Sequence, residues 1–309
     1  MKLTLPDIAP HLPSAPLHGF GRCACHPAGA PPTRRLFTGL LLGGAAAGVL
    51  AQDGVSVKDD SATKLAKKLV SAEQVERAGA AQYAQMMGEA QQQRALVPAK
   101  HPQVERLRYI GQRLLPFTQP FNARARQWRW EVNLVNSPQL NAFCMPGGKI
   151  AFYTGILVKL ELNDDEVAAI MGHEIAHALR EHARERMGKT AATRIGANVL
   201  SAVLGLGNLG DAALQMGAQL LTLKFGREDE SEADLIGMDL SARAGYSPQA
   251  GVSLWQKMGA QNKGAPPQWL STHPSGPTRI RDIEATLPKV EPLFAKAAKP
   301  DRRFAVAKG

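Results

Sequence analysis

Residues 171–182, MGHEIAHALREH, constrain this chain more than any other segment. An α-helix advances 3.6 residues per turn, so His173 and His177, four residues apart, project from the same face. Two imidazoles placed in this way can share one metal ion, and neutral imidazole nitrogen suits Zn²⁺. Glu174 follows the first histidine, where its carboxylate can take a proton from water. Two histidines that merely share a helix are the alternative, so the pattern requires a third ligand.

The residues around the motif predict one helix from residue 164 to residue 186. Asn163 is placed to cap this helix, and Glu166 follows three residues later as in a capping box. His182 is one residue out of register with the third histidine of the HExxHxxGxxH pattern, so we expect it on the helix surface. Apolar residues at helical spacing supply the buried side: Val167, Ile170, Met171, Ile175 and Leu179.

A small sheet is expected before this helix. Residues 128–135, WRWEVNLV, alternate large and polar side chains, and residues 149–153, KIAFY, follow a Pro-Gly-Gly turn. Further helices are expected over residues 61–96, 104–115 and 228–244. The predicted fold class is therefore α+β and mainly helical, with a small β-sheet beside the histidine helix.

The first 51 residues have the pattern of an export signal. Arg34 and Arg35 precede an apolar run over residues 36–50 and resemble the twin-arginine motif. This run is about 15 residues long, shorter than the roughly 20 that span a membrane. We expect cleavage after Ala51 and an exported, periplasmic protein, with an uncleaved membrane anchor as the alternative.

The chain divides further at changes of composition. The apolar stretch over residues 195–223 contains Asn198 and Asp211, so we expect a core or interfacial helix pair there and not a membrane span. The divisions that follow the signal are an N-terminal helical segment (52–100), a domain with the histidine motif (101–287) and a basic C-terminal tail (288–309).

The formal net charge of +10 does not indicate a nucleic-acid partner. The basic residues are scattered, without blocks interleaved with aromatic side chains. A solvated surface, or one that meets anionic lipid at a membrane, accounts for them. Of the three cysteines, Cys23 and Cys25 lie in the signal and Cys144 remains alone, so we expect no disulfide.

A carboxylate from a second helix can complete the ligand set. In the sequence ESEAD, Glu230 and Asp234 have the same four-residue separation as the two histidines. One of these carboxylates can bind a metal while the other accepts a hydrogen bond from the far nitrogen of a ligand imidazole.

HEIAH, followed about fifty residues later by ESEAD, resembles the gluzincin metallopeptidases of peptidase family 48. That family includes HtpX, the CAAX prenyl proteases and the mitochondrial overlapping-activity protease. NAFCMPGGKIAFYTGIL and THPSGPTRI extend the resemblance to about half of the chain. It implies a zincin-like metalloprotease domain with one Zn²⁺ bound by His173, His177 and Glu230. It also implies Glu174 as the general base and Asp234 as the residue that orients a ligand histidine.

The resemblance suggests functional residues outside the two helices. His273 is expected to stabilise the oxyanion or to approach the zinc from the far side, and capping the loop before Pro274 is the alternative. Arg279 is expected to be its structural companion. A substrate strand at a sheet edge, which would bind substrate by β-augmentation, is predicted over Gly148, Lys149, Ile150 and Ala151, and a strand that serves only the core is the alternative.

The function that this resemblance implies is that of a soluble, exported bacterial zinc endopeptidase. Its expected partners are unfolded or misassembled envelope proteins, as in protein quality control. The alternative is a non-catalytic zinc-binding protein of the same fold, either chaperone-like or bound to a membrane surface. Glu174 favours the enzyme, since a protein without turnover has no chemical need for that carboxylate.

Overall fold

The computed structural model describes residues 54–196, 209–261, 268–273 and 278–308. The predicted export signal lies outside the described residues, as does the middle of the apolar stretch over residues 195–223. In the part of the chain that is described, no helix is long and apolar enough to cross a membrane.

The predicted fold class is confirmed: helices surround one small sheet. The helices are α1 (Ser61–Lys68), α2 (Ala72–Gln92), α3 (Pro102–Leu114), α4 (Thr154–Lys159), α5 (Asp164–Leu179), α6 (His182–Gly196), α7 (Leu209–Thr222), α8 (Arg227–Arg243), α9 (Ala250–Ala260), α10 (Gln268–Thr272) and α11 (Arg279–Lys296). The strands are β1 (Glu131–Val135), β2 (Ala142–Met145) and β3 (Lys149–Tyr153).

The strand order is β1-β3-β2, so β3 is the central strand. It pairs in parallel with β1, where Val132 lies opposite Ile150, and antiparallel with β2, where Phe143 lies opposite Ala151. The prediction that residues 148–151 form a sheet edge is therefore wrong, because β3 has a neighbour on each side. The edge on this side of the sheet is β2, a four-residue strand too short to show an alternating pattern.

The turn between β2 and β3 depends on two glycines. Gly147 and Gly148 have φ angles of +86° and +79°, a conformation that side chains other than glycine rarely adopt. This turn brings residues 142–145 back along β3, so the Pro-Gly-Gly sequence determines the position of the outer strand.

Helix α5 is buried on nearly every side at the centre of the molecule. Its predicted capping box is present: the side chains of Asn163 and Glu166 each accept a hydrogen bond from the other residue's backbone N–H. The prediction of one helix to residue 186 is wrong. Glu181 has a φ of +56°, which ends α5 and starts α6 in a new direction. His182 is consequently 1% exposed and not on the surface.

The last helix continues beyond the boundary predicted at residue 288. It runs to Lys296 although it contains Pro288 and Pro292, because Val290 and Leu293 are buried against the core. The chain after this helix returns to α5, where the Phe304 N–H donates to Asp164 Oδ2 at 2.9 Å.

Helices α5 and α8 meet at two glycines. A Cβ atom added to Gly172 would lie 2.7 Å from the carbonyl oxygen of Gly237, and one added to Gly237 would lie 2.7 Å from the backbone nitrogen of His173. Both distances are shorter than van der Waals contact, and the obstructing atoms belong to the backbone. The two helices can approach this closely only because neither position carries a side chain.

We predict that Gly237→Ala lowers the free energy of unfolding by about 1–3 kcal/mol, because the added methyl group forces two packed helices apart. Urea denaturation of both proteins measures the change. The matched control is Gly88→Ala in α2, where nothing lies within 4 Å of the added atom. In the control, the free energy of unfolding is expected to rise by up to about 1 kcal/mol, because alanine has a higher helix propensity than glycine. Equal stability of Gly237→Ala and wild type would contradict the close packing.

Candidate metal centre

Four buried side chains bring their donor atoms to one point. The donors of His173, His177, Glu230 and His273 all lie within 4.8 Å of one another. His173 Nε2 lies 3.1 Å from His177 Nε2 and 3.6 Å from Glu230 Oε2, and His177 Nε2 lies 3.4 Å from Glu230 Oε1. Donors at about 2.1 Å from a tetrahedral ion lie about 3.4 Å apart, so the separations among His173, His177 and Glu230 suit one bound metal ion.

Secondary structure places each donor. Helix α5 presents its two histidines one turn apart, and α8 presents Glu230 from its first turn. His273 follows α10, and its backbone N–H donates to the Trp269 carbonyl at 2.9 Å. His273 Nδ1 lies 3.0 Å from Glu230 Oε1 and 3.3 Å from His173 Nε2, so His273 lies within the donor cluster.

Burial and charge favour a bound cation. Burial lowers the pKa of His177 and keeps its imidazole neutral, which is the form that binds a metal. Burial opposes the charge on Glu230, but its polar contacts with His177 and His273 outweigh this effect and lower the pKa of its carboxyl. Two buried carboxylates, those of Glu174 and Glu230, and the partly exposed carboxylate of Asp234 lie around the single guanidinium of Arg279. A divalent ion balances the excess of two negative charges.

The carboxylates are held by hydrogen bonds from the same two helices and α11. Asp234 Oδ1 lies 2.9 Å from His173 Nδ1, the nitrogen that faces away from the donor cluster. Arg279 donates to both oxygens of Asp234 at 2.7 and 2.8 Å and to Glu230 Oε2 at 2.6 Å. Its guanidinium also stacks 3.7 Å from the centre of the Trp255 ring. Arg279, expected to accompany His273, thus bridges the two carboxylates of α8.

Glu174 lies beside the donor cluster and is 2% exposed. Its Oε1 accepts a hydrogen bond of 2.7 Å from Trp269 Nε1, and His273 Nε2 lies 3.6 Å from the same oxygen. Trp269 is a functional candidate that sequence reasoning missed. The available signal is its position four residues before His273, about one helical turn away, and the two rings stack at 4.9 Å.

A cleft opens between this centre and β2. Residues 141–146 line one side, and Glu174, His177 and His273 line the other. Leu220 and Leu221 of α7 complete the wall. The predicted substrate strand lies behind β2: Ile150 and Ala151 are fully buried, and the Ile150 carbonyl accepts a hydrogen bond from Tyr83.

We predict that Arg279→Lys weakens metal binding about 10- to 100-fold, since lysine keeps the charge but cannot bridge two carboxylates with a planar fork. Zinc affinity measured by competition with a chelator tests this. Arg281→Lys, at an exposed position two residues further along α11, is the matched control and keeps wild-type affinity. Wild-type affinity in Arg279→Lys would show that the bridge does not support the centre.

Comparison with known proteins agrees with this geometry. The chain is 41% identical over 152 residues to the mitochondrial metalloendopeptidase OMA1 of Arabidopsis thaliana, covering 49% of this chain and 30% of that protein. It is 37% identical over 166 residues to the Schizosaccharomyces pombe OMA1 protein, with 53% and 48% covered. It is 30% identical over 206 residues to the beta-barrel assembly-enhancing protease of Yersinia pestis, with 63% and 41% covered.

The chain therefore spans less than half the length of each of these relatives. The model of Peptidase family M48 matches residues 102–287, which is more than half of the chain. That match includes both helices of the donor cluster, His273 and Arg279. The protein belongs to peptidase family M48.

Proposed function

We propose that the protein is a zinc-dependent endopeptidase that hydrolyses peptide bonds of unfolded or misassembled envelope proteins. One observation carries the proposal: Glu174 lies beside a buried His173, His177 and Glu230 donor set, at the wall of a cleft lined by a strand edge. A purely structural zinc site needs no such carboxylate and no such cleft.

The side chains divide the chemistry among them. His173, His177 and Glu230 would hold Zn²⁺, which supplies Lewis acidity and lowers the pKa of water to about 7. Glu174 accepts the proton of the attacking water and returns it to the leaving amine. The Trp269 N–H holds Glu174 Oε1, so the other oxygen is free to take that proton. Asp234 keeps His173 oriented through its Nδ1.

His273 is proposed to act beside the metal and not as a permanent ligand. A catalytic zinc takes three protein ligands and keeps one position for water, but here a fourth donor lies within the cluster. His273 Nε2 lies 3.6 Å from Glu174 Oε1, so His273 would leave that position to water and donate a hydrogen bond to the developing oxyanion.

The outer strand β2 is the proposed site of substrate binding, in place of residues 148–151. The Tyr153 N–H donates to the Asn141 carbonyl, so residues 141, 143 and 145 bond to β3. The backbone groups of Cys144 consequently face away from β3, on the side of the cleft. An extended peptide can add to this edge through its backbone, which tolerates diverse sequences and suits unfolded substrates.

The envelope assignment is supported by two features. The pattern of Arg34, Arg35 and the apolar residues 36–50 is that of an export signal. The Yersinia pestis relative is named a beta-barrel assembly-enhancing protease, and this name refers to protein assembly. We therefore propose a periplasmic enzyme whose partners are misassembled polypeptides.

Glu174→Gln is expected to lower the cleavage rate of an unfolded model protein at least about 100-fold, because the amide cannot accept the proton of water. Cleavage is measured by gel, with the zinc content of each protein determined beside it. The zinc content stays at the wild-type level. Glu105→Gln, an exposed position on α3, is the control and cleaves normally. If zinc-loaded wild type did not cleave the protein, this result would contradict the proposed peptidase activity and favour the non-catalytic alternative.

Cys144→Pro is expected to lower kcat/KM about fivefold, because it removes the N–H that the edge offers to substrate, and one hydrogen bond contributes about 1 kcal/mol. Peptide hydrolysis at matched zinc content measures this. Cys144→Ala loses the same thiol but keeps the N–H, so it retains kcat/KM close to wild type. Equal values for the proline and alanine variants would exclude this edge as the binding strand.

A further inference from the structure

His182 lies on the far side of His177 from the donor cluster. Its Nδ1 is 2.9 Å from His177 Nδ1, and the two rings meet edge to face at 4.9 Å. His182 Nε2 lies 2.6 Å from Glu232 Oε2, and Arg180 Nε lies 2.9 Å from the other oxygen of Glu232. A series of contacts therefore runs from His177, through His182, to Glu232. The Glu232 carboxylate is itself paired with Arg180.

We propose that His182 is a positioning residue for the metal ligand His177 and that Glu232 sets its tautomer, which keeps His177 Nε2 free to bind the ion. The proposal rests on the proposed metal site and extends it to two residues that neither HExxH nor the Glu230 and Asp234 pair includes.

The positions of the protons on His177 and His182 support this assignment. Two Nδ1 atoms at 2.9 Å share one hydrogen, so one ring donates and the other accepts. If His182 donated, His177 would carry its proton on Nε2, the atom that faces the other donors. The Glu232 carboxylate can only accept, so a His182 ring with a single N–H carries that hydrogen on Nε2. His182 Nδ1 is then an acceptor, His177 carries its proton on Nδ1, and His177 Nε2 presents a lone pair.

The backbone is arranged for this contact. In a continuous helix, residues 177 and 182 are about 140° apart around the axis and do not meet. The left-handed conformation of Glu181 breaks the helix and turns His182 back towards His177. Helix α8 then supplies Glu232, between Glu230 and Asp234, so that one helix serves both ligand histidines. Asp234 contacts His173 directly, and Glu232 acts on His177 through His182.

The test compares zinc affinity, by chelator competition, in wild type, His182→Phe and His182→Asn. Phenylalanine fills the space but accepts no hydrogen bond, and we expect affinity to fall about 10- to 100-fold. Asparagine offers an acceptor near the position of Nδ1, and we expect it to restore most of that loss. The visible spectrum of the Co²⁺-loaded proteins is expected to change in the phenylalanine variant and to return towards wild type in the asparagine variant.

Long-range ¹H–¹⁵N NMR spectra of the zinc-loaded protein report the tautomers directly. We expect the proton of His182 on Nε2 and that of His177 on Nδ1, and the opposite assignment for His182 would overturn the proposal. Wild-type affinity in His182→Phe, or equal losses in both variants, would also overturn it, since a purely structural role does not distinguish an acceptor. Failure of wild type to bind zinc would instead refute the metal site on which the proposal rests.

Discussion

The backbone contact between α5 and α8 at Gly172 and Gly237 is the constraint on which the metal centre depends. Glu230, Asp234 and Gly237 recur at helical spacing, so they share the face of α8 that packs on α5. The distance between the helices at the glycines therefore sets how far Glu230 lies from His177. The same face continues to Ser241, whose hydroxyl donates to the Ala168 carbonyl and extends the contact by a further turn.

This close packing buries more negative charge than the local cations neutralise. A buried carboxylate without a partner is costly, and Arg279 is shared between Glu230 and Asp234. Burial opposes the charge on Asp234, but Arg279 outweighs this effect and lowers the pKa of its carboxyl. The fold thus keeps the carboxylate of Asp234 ionised beside His173, and a divalent ion at the donor cluster would offset the remaining charge.

The arrangement of the sheet places the edge of β2 beside this centre. The Gly147 and Gly148 turn folds β2 along β3 and leaves the outer edge of β2 beside Glu174 and His273. Trp269 of α10 is bonded to Glu174, and His273, which follows that helix, lies within the donor cluster. The groups proposed for chemistry and the strand proposed for binding therefore share one cleft.

Local rules in the sequence determined a large part of this centre. Helical periodicity placed His173 and His177 on one face, and the capping box at Asn163 fixed where their helix begins. Family resemblance added Glu230 and His273, which the structure brings to the same point. These features depend on residues close together in the chain or on a motif of several residues, so they can be read without knowledge of the fold.

Only the tertiary structure decided which strand lies at the edge, because strand order depends on pairing between segments distant in the chain. It also decided that α5 ends at Leu179 and that His182 is buried against His177. Both depend on the left-handed backbone conformation of Glu181, which a glutamate in the sequence does not predict. The contacts of Trp269 with Glu174 and of Arg279 with α8 join residues 45 to 95 positions apart. Periodicity and capping act within a few residues of the chain, and such long-range contacts form only when the helices pack.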